Sequence, residues 1–261
     1  MEIVINDTPE AGAVLVADVI ERLVIGGDGS VIGLATGSSP LPSYRELIRR
    51  HRTTGLSFAN VEAFLLDEYV GLAAEDPESY RAFIKRELTD HLDLPDSSLH
   101  SPDGTALDLA AAALAYDRSI ADAGGVDVQI LGIGSDGHIG FNEPSSSLGS
   151  RTRLKTLTDK TRIDNARFFD GDVDRVPRHC MTQGVSTILD ARHIVLIAGG
   201  AAKANPVAMA VEGPITAMVP ASALQLHPHV TIIVDEAAAA GLANAEYYRE
   251  TYRNKPSWQT L

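Results

Sequence analysis

Cysteine is almost missing from this chain: Cys180 is the single thiol in 261 residues. No intramolecular disulfide can close, and the composition suits a reducing compartment. Cys180 lies in no reactive-cysteine motif and reads as a small core residue. Basic charge is also short, with 22 Lys and Arg against 35 Asp and Glu for a net charge of −13. That balance argues against a nucleic-acid face and against attraction to anionic lipid, while leaving room for a local basic pocket that holds a phosphate. No run approaches the ~20 apolar residues of a bilayer span, and Met1 to Asn6 shows no basic region followed by a long apolar segment. A soluble, cytoplasmic protein is therefore expected. Repeats are lacking too, and the alanine patches Ala110 to Ala113 and Ala237 to Ala240 read as helix. With 44% hydrophobic residues, 22 glycines and 13 prolines, residues 1–261 can bury the core of a single domain.

What is present is concentrated in Ile130 to Pro144. Val126 to Ile133 is aliphatic and β-branched with little polar alternation, as in a strand buried on both faces of a parallel sheet. It empties into Gly132, Gly134, Ser135, Asp136, Gly137, His138, Gly140 and Glu143. Ligands of open α/β sheets sit beyond the carboxyl ends of the strands, which is where these side chains fall. Three readings of His138 stand: a metal ligand, a hydrogen-bonded turn residue, or a general acid/base imidazole tuned by flanking carboxylates. The metal reading is the weakest, because catalytic sites want more than one His or Cys nearby.

Strand and helix signals alternate along the rest. Ile3 to Ile5 is a short strand; Asp7-Thr8-Pro9-Glu10 supplies a cap, a proline and a first-turn acid for a helix over Ala13 to Val24, which Gly26 and Gly27 stop. Ser30 to Ala35 is a buried strand that breaks into Thr36-Gly37-Ser38-Ser39-Pro40 before a helix carrying Tyr44, Leu47 and Ile48. Such a loop at a helix N-terminus offers N–H groups and hydroxyls to an anion, or is an ordinary turn. A second buried strand, Val61 to Leu66, runs into Asp67-Glu68-Tyr69. These two acids are either a solvated turn or part of the same site. Helices are expected over Glu78 to Leu92 and Ala106 to Ala123, with a loop from Pro95 to Gly104 between them. Arg151, Arg153 and Lys155 would share one face of an extended segment, as an anion site or as partners for the chain's own acids. His193 to Ala198 and Val230 to Asp235 are further strands, Lys203 heads a helix, and Glu236 to Arg249 is the last helix. The tail Lys255 to Leu261 is either exposed or packed against another subunit. The fold class is α/β: a three-layer, Rossmann-like, open and mostly parallel sheet with helices on both faces.

The chain resembles the glucosamine-6-phosphate deaminase (glucosamine-6-phosphate isomerase) family. The likeness runs through Leu34 to Pro40, Leu66 to Leu72, Gly132 to Thr158, Asn165 to Phe169, Lys203 and Ser222 to His227, nearly the whole chain. Ser38 and Ser39 replace the Gly and Thr of many members, and the turn Gly199 to Lys203 differs in detail; neither change removes a donor. The resemblance implies a cofactor-free and metal-free conversion of glucosamine 6-phosphate and water to fructose 6-phosphate and ammonia. In it His138 opens the sugar ring with Asp136 and Glu143 orienting it, and Asp67 moves the proton from C2 to C1. Thr36, Gly37, Ser38 and Ser39, with Arg167 and Lys203, would hold the phosphate. Ser146, Arg153, Lys155 and Thr156 match the anion ligands of an allosteric site for N-acetylglucosamine 6-phosphate at subunit contacts, implying a homo-oligomer, with a hexamer favoured. The rival enzyme class is a 6-phosphogluconolactonase, which is similar in fold but has Asp-Glu-Arg where this chain has Asp67-Glu68-Tyr69 and lacks Phe141 to Pro144. A sugar-phosphate-sensing domain of a transcription regulator would need a DNA-binding module, for which these acidic residues leave no room.

Overall fold

The computed structural model describes residues 1–27, 29–256 and 258–261. Among them ten strands form two sheets. The larger is wholly parallel. It contains β1 (Glu2–Asn6), β2 (Ser30–Leu34), β3 (Val61–Leu65), β5 (Leu99–His100), β6 (Val128–Leu131), β9 (His193–Ala198) and β10 (Val230–Asp235), in the order β1-β10-β9-β6-β2-β3-β5. Every residue of β2 and β6 is buried. Strands so apolar must be covered on both faces, and the helices do this. The helices are α1 (Pro9–Gly26), α2 (Leu41–Thr54), α3 (Tyr80–Glu87), α4 (Leu109–Asp122), α5 (Asp159–Asn165), α6 (Val185–Leu189), α7 (Ala204–Val211), α8 (Glu236–Ala239) and α9 (Ala245–Arg253).

The caps follow the sequence signals. Thr8 Oγ1 accepts from the Ala11 N–H at 3.2 Å, Pro9 occupies the first turn of α1, and Gly55 ends α2 in the left-handed region at φ 75°. Buried Arg50 ties α2 to α1 through Asp18 at 2.7 Å and Glu21 at 2.5 Å, with Glu46 of its own helix at 2.8 Å. A guanidinium taken from water needs such partners.

The chain steps outward from β2 through β3 to β5, then returns to the other side of β2 with β6, β9 and β10. Between β2 and β6 the winding reverses. The loops leaving their carboxyl ends diverge there and open a crevice, the usual ligand position in open α/β sheets.

The second sheet is antiparallel, in the order β4-β8-β7: β4 (Asp67–Tyr69), β7 (Arg153–Thr156) and β8 (His179–Thr182). Only Leu66 separates β3 from β4, so the chain passes directly from one sheet to the other. Asp67 to Tyr69, read as a solvated turn or as part of the site, is thus a buried strand, and β8 was not anticipated. On β7 the half-buried Arg153 and Lys155 share a face opposite exposed Leu154 and Thr156. Arg151 lies outside the strand and pairs with Asp190.

Three further expectations are corrected. The helix over Glu78 to Leu92 ends at Glu87, because buried Leu88 leaves helical geometry (φ −142°, ψ −69°) and a 3-10 turn follows. Leu88 and Leu92 still reach the core, so the apolar period conceals the break. The segment Pro95 to Gly104 contains β5, an edge strand too short to show alternation. The last helix is two, α8 and α9. At Gly241 between them a Cβ would lie 2.7 Å from the Ala204 carbonyl oxygen, and Glu212 accepts from the N–H groups of Ala243 and Asn244 where α9 begins. In the tail Lys255 pairs with Glu2 at 2.7 Å, Leu261 packs on the core and Trp258 is exposed; Ser257 lies outside the described residues. No described helix is long and apolar enough to cross a membrane.

Candidate active site

A cavity of about 400 Å³ sits over the carboxyl ends of β2, β3 and β6. The loops after β2 and β6 furnish one wall. The loop after β2 brings Thr36, Gly37, Ser38 and Ser39 into it ahead of α2. Gly37 sits at φ 90°, a conformation that L side chains rarely adopt. The first turn of α2 leaves N–H groups without helical partners, so this loop is suited to an anion. Three cations line the same cavity; Arg86 pairs with Glu87 at 3.2 Å, and the other two are Lys203 and Arg167. Lys203 donates from Nζ to the Ile133 carbonyl at 2.6 Å, and Arg167 lies 4.7 Å from the Phe168 ring centroid. Neither forms an ion pair among the described residues. Burial, and then the neighbouring Arg167 charge, lowers the pKa of Lys203. Two adjacent cations with no carboxylate partner favour a ligand that carries negative charge.

The turn after β6 presents His138. Gly134 N–H donates to the His138 carbonyl at 2.9 Å, closing the turn, and Gly137 sits at φ 84°. The imidazole lies against Gly134, where a Cβ would come within 2.2 Å of Cε1. Asp136 Oδ1 lies 2.6 Å from His138 Nδ1 and also accepts from the His138 N–H at 3.2 Å. Burial pushes the Asp136 carboxyl up, but its hydrogen bonds and charge interaction with His138 outweigh this and hold it at about 2. Asp136 is thus an anion that can only accept, which assigns the proton to Nδ1 and leaves Nε2 for another partner.

Asp67, 5% exposed, reaches the cavity from the first position of β4. No hydrogen bond among the described residues involves its carboxylate. Burial raises its pKa well above the ordinary carboxylate value, and the Glu68 charge adds to the effect. A raised carboxyl in a cleft is the usual condition of a general base. Glu68 points elsewhere. It accepts from the N–H groups of Tyr69, Tyr80 and Arg81 at 2.8, 2.9 and 2.9 Å and so anchors the start of α3.

Of the two acids expected to orient His138, only Asp136 is hydrogen-bonded to it. Glu143 does not line the cavity; it is buried and accepts from Thr158 Oγ1 at 3.1 Å and from the Thr161 hydroxyl. Thr161 itself lines the cavity, so Glu143 supports the opposite wall. That wall adds Tyr80, Phe83, Asp164, Asn165 and Phe168. Their signal in the sequence was slight: Tyr80 and Phe83 fall inside the helix expected over Glu78 to Leu92, although Asn165 to Phe169 belongs to the resemblance. Ser146, Arg153, Lys155 and Thr156 are absent from the cavity lining. Among the described residues no group of three or more His, Cys, Asp or Glu is placed to hold a metal ion. Cys180 is wholly buried in β8, and burial drives its thiol pKa up.

A family model described as glucosamine-6-phosphate isomerases/6-phosphogluconolactonase matches residues 7–233. The chain belongs to this family. It is 57% identical over 261 residues, the whole of both chains, to a glucosamine-6-phosphate deaminase of Rhodococcus opacus. Among solved structures, a monomeric glucosamine-6-phosphate deaminase is 41% identical at a TM-score of 0.90, covering 92% of this chain and 100% of that one. A 6-phosphogluconolactonase from Trypanosoma cruzi is 21% identical at a TM-score of 0.74, covering 93% of this chain and 97% of its own, a likeness of fold alone. Both branches of the family share the α/β fold.

Proposed function

We propose that this chain converts glucosamine 6-phosphate and water to fructose 6-phosphate and ammonia, without a bound cofactor or metal, in the cytoplasm. The carrying observation is one cavity that holds a buried carboxyl of raised pKa, an imidazole oriented by a carboxylate, and two unpaired cations beside a helix N-terminus. The 57% full-length identity to a deaminase supports the choice of branch.

The substrate phosphate rests on Thr36 to Ser39, with Arg167 and Lys203 supplying charge-assisted hydrogen bonds. His138, with its Nδ1–H held on Asp136, takes the proton of the C1 hydroxyl at Nε2 and passes it to the ring oxygen, which opens the pyranose to the aldehyde. The C2 hydrogen, now between a carbonyl and an ammonium, is acidic. Asp67 takes it and returns a proton to C1, leaving an imine at C2 that water hydrolyses with release of ammonia. The cationic ammonium beside Asp67 favours the ionised, basic form of this carboxyl. Asp136 keeps His138 in the required tautomer. Glu143, through Thr161 and Thr158, holds the wall that carries Asn165 and Arg167. A coupled assay is expected to detect ammonia and fructose 6-phosphate in equal amounts in the presence of a chelator. Hydrolysis of 6-phosphogluconolactone with no ammonia released would assign the chain to the other branch.

Ser146, Arg153, Lys155 and Thr156 form a second anion site, for N-acetylglucosamine 6-phosphate, in a homo-oligomer. Its support is electrostatic: Ser146 Oγ and Arg153 Nη2 are buried with no hydrogen-bond partner among the described residues, and burial lowers the pKa of Arg153. Unpartnered buried donors are uncommon and suit an anion that completes them. An activator must bind the active state better, and typical coupling of ~1–3 kcal/mol corresponds to about 5- to 150-fold in affinity. Sigmoidal substrate dependence is expected to become hyperbolic with N-acetylglucosamine 6-phosphate, and Lys155→Ala to lose the response. A monomer by light scattering, like the monomeric relative, with a rate indifferent to the activator would make these residues structural.

A further inference from the structure

The acid and the base of the proposed reaction stand on different sheets, and two buried amides join them. Asn142, wholly buried, follows His138 in the turn after β6. Its Nδ2 donates to the Ile139 carbonyl at 3.0 Å and to the Gln183 carbonyl at 2.8 Å, while its Oδ1 accepts from Arg153 Nη1 at 2.9 Å. A guanidinium only donates, so this last contact fixes which end of the amide faces the two carbonyls. Gln183, 1% exposed, grips the point where β3 becomes β4. Its Nε2 donates to the Leu65 carbonyl at 3.0 Å and its backbone N–H to the Leu66 carbonyl at 2.7 Å, immediately before Asp67.

We propose that Asn142 and Gln183 are positioning residues whose amides act as one brace, fixing the Asp67 strand against the His138 turn. The neighbouring backbone shows how near these elements run. At Gly140 (φ 54°) a Cβ would meet Thr182 Oγ1 at 3.0 Å and Asp67 Oδ2 at 3.5 Å. The carbonyls that the amides serve do not depend on them. Leu65 O also accepts from Tyr116 OH at 2.7 Å, Ile139 O from the Asn142 N–H at 3.1 Å, and Gln183 O from Thr182 Oγ1 at 3.2 Å. With a second donor at every acceptor, the amides add a bridge between elements rather than satisfaction of stranded backbone. Misplacement of reacting groups by about 1 Å can cost 10²-fold in rate.

The inference rests on the deaminase reading for its assay. Gln183→Met keeps shape and removes one donor; Asn142→Asp keeps the acceptor for Arg153 and removes two. Each is expected to lower kcat about 10- to 100-fold, with KM for glucosamine 6-phosphate and inhibition by inorganic phosphate within threefold of the parent. Because the amides act in series, the double variant should lose no more than the worse single one, whereas independent structural roles would multiply. A folded Gln183→Met chain with kcat within twofold of the parent, or multiplicative losses, overturns the brace. Should Asn142→Asp fail to fold, Gln183→Met decides alone. A parent chain that releases no ammonia overturns the deaminase reading instead. The brace is then read from amide hydrogen exchange at Gln183 and Phe141, the latter bonded to Thr182 Oγ1 at 3.1 Å. Exchange at both must rise at least about tenfold in Gln183→Met as their opening becomes easier, and unchanged protection overturns it.

Discussion

Asp67→Asn is expected to lower kcat by about 10²- to 10⁴-fold, the usual contribution of a positioned base, while making the folded chain more stable at neutral pH. The two effects have one origin. Burial, and secondarily the Glu68 charge, raises the Asp67 pKa well above the ordinary carboxylate value. A carboxyl whose folded pKa exceeds its unfolded one binds more protons when folded. Its stabilising contribution is complete below the unfolded value of about 3.9 and is lost as pH rises through the folded value. Asparagine never ionises and escapes that loss. In deuterated water the variant should incorporate no deuterium into the sugar, while inorganic phosphate still binds at the loop before α2. For the parent, kcat/KM should climb with pH through a value above the ordinary carboxylate range as Asp67 ionises. Retained deuterium exchange would remove Asp67 from the role of base. Inactivity together with a lowered thermal midpoint would point to damage to the fold.

The parallel core was legible because it is buried on both faces. Val126 to Ile133 and His193 to Ala198 are nearly unbroken aliphatic runs, and each empties into glycines. The loop Thr36 to Ser39 was legible as a break for a related reason, since small residues and Pro40 separate an aliphatic strand from the apolar period of α2. The second sheet was not. β4 and β8 are short, and they pair with each other across a long separation in sequence, so neither carries enough period to announce itself. The role given to Glu143 illustrates the limit of proximity as an argument. Asp136 reaches His138 through the tight turn that Gly134 and Gly137 permit. Glu143 lies past Gly140, where the left-handed backbone turns the chain away toward α5. Asn142 and Gln183 could be named from the sequence but not placed, because a buried amide bears no mark of what it holds.

His138→Gln tests the other half of the mechanism and should fail in a different way from Asp67→Asn. Asp136, an anion down to about pH 2, accepts from Nδ1 and so aims Nε2 at the substrate. Glutamine can fill much of the space but cannot carry the proton that opens the ring, so kcat should fall by about 10²- to 10⁴-fold. Rings still open spontaneously in solution, and Asp67 remains intact. The variant should therefore exchange deuterium into the small open-chain population at a rate that no longer depends on enzyme concentration once opening is limiting. Asp136→Asn belongs between this variant and the parent, because the amide oxygen can still accept from Nδ1 while the charge that stabilises the imidazolium is gone. Full turnover by His138→Gln would end the assignment of ring opening to this residue. Complete loss of exchange in both His138→Gln and Asp67→Asn would show instead that the two side chains act on the same proton, since a base that works on an already open sugar does not need the imidazole.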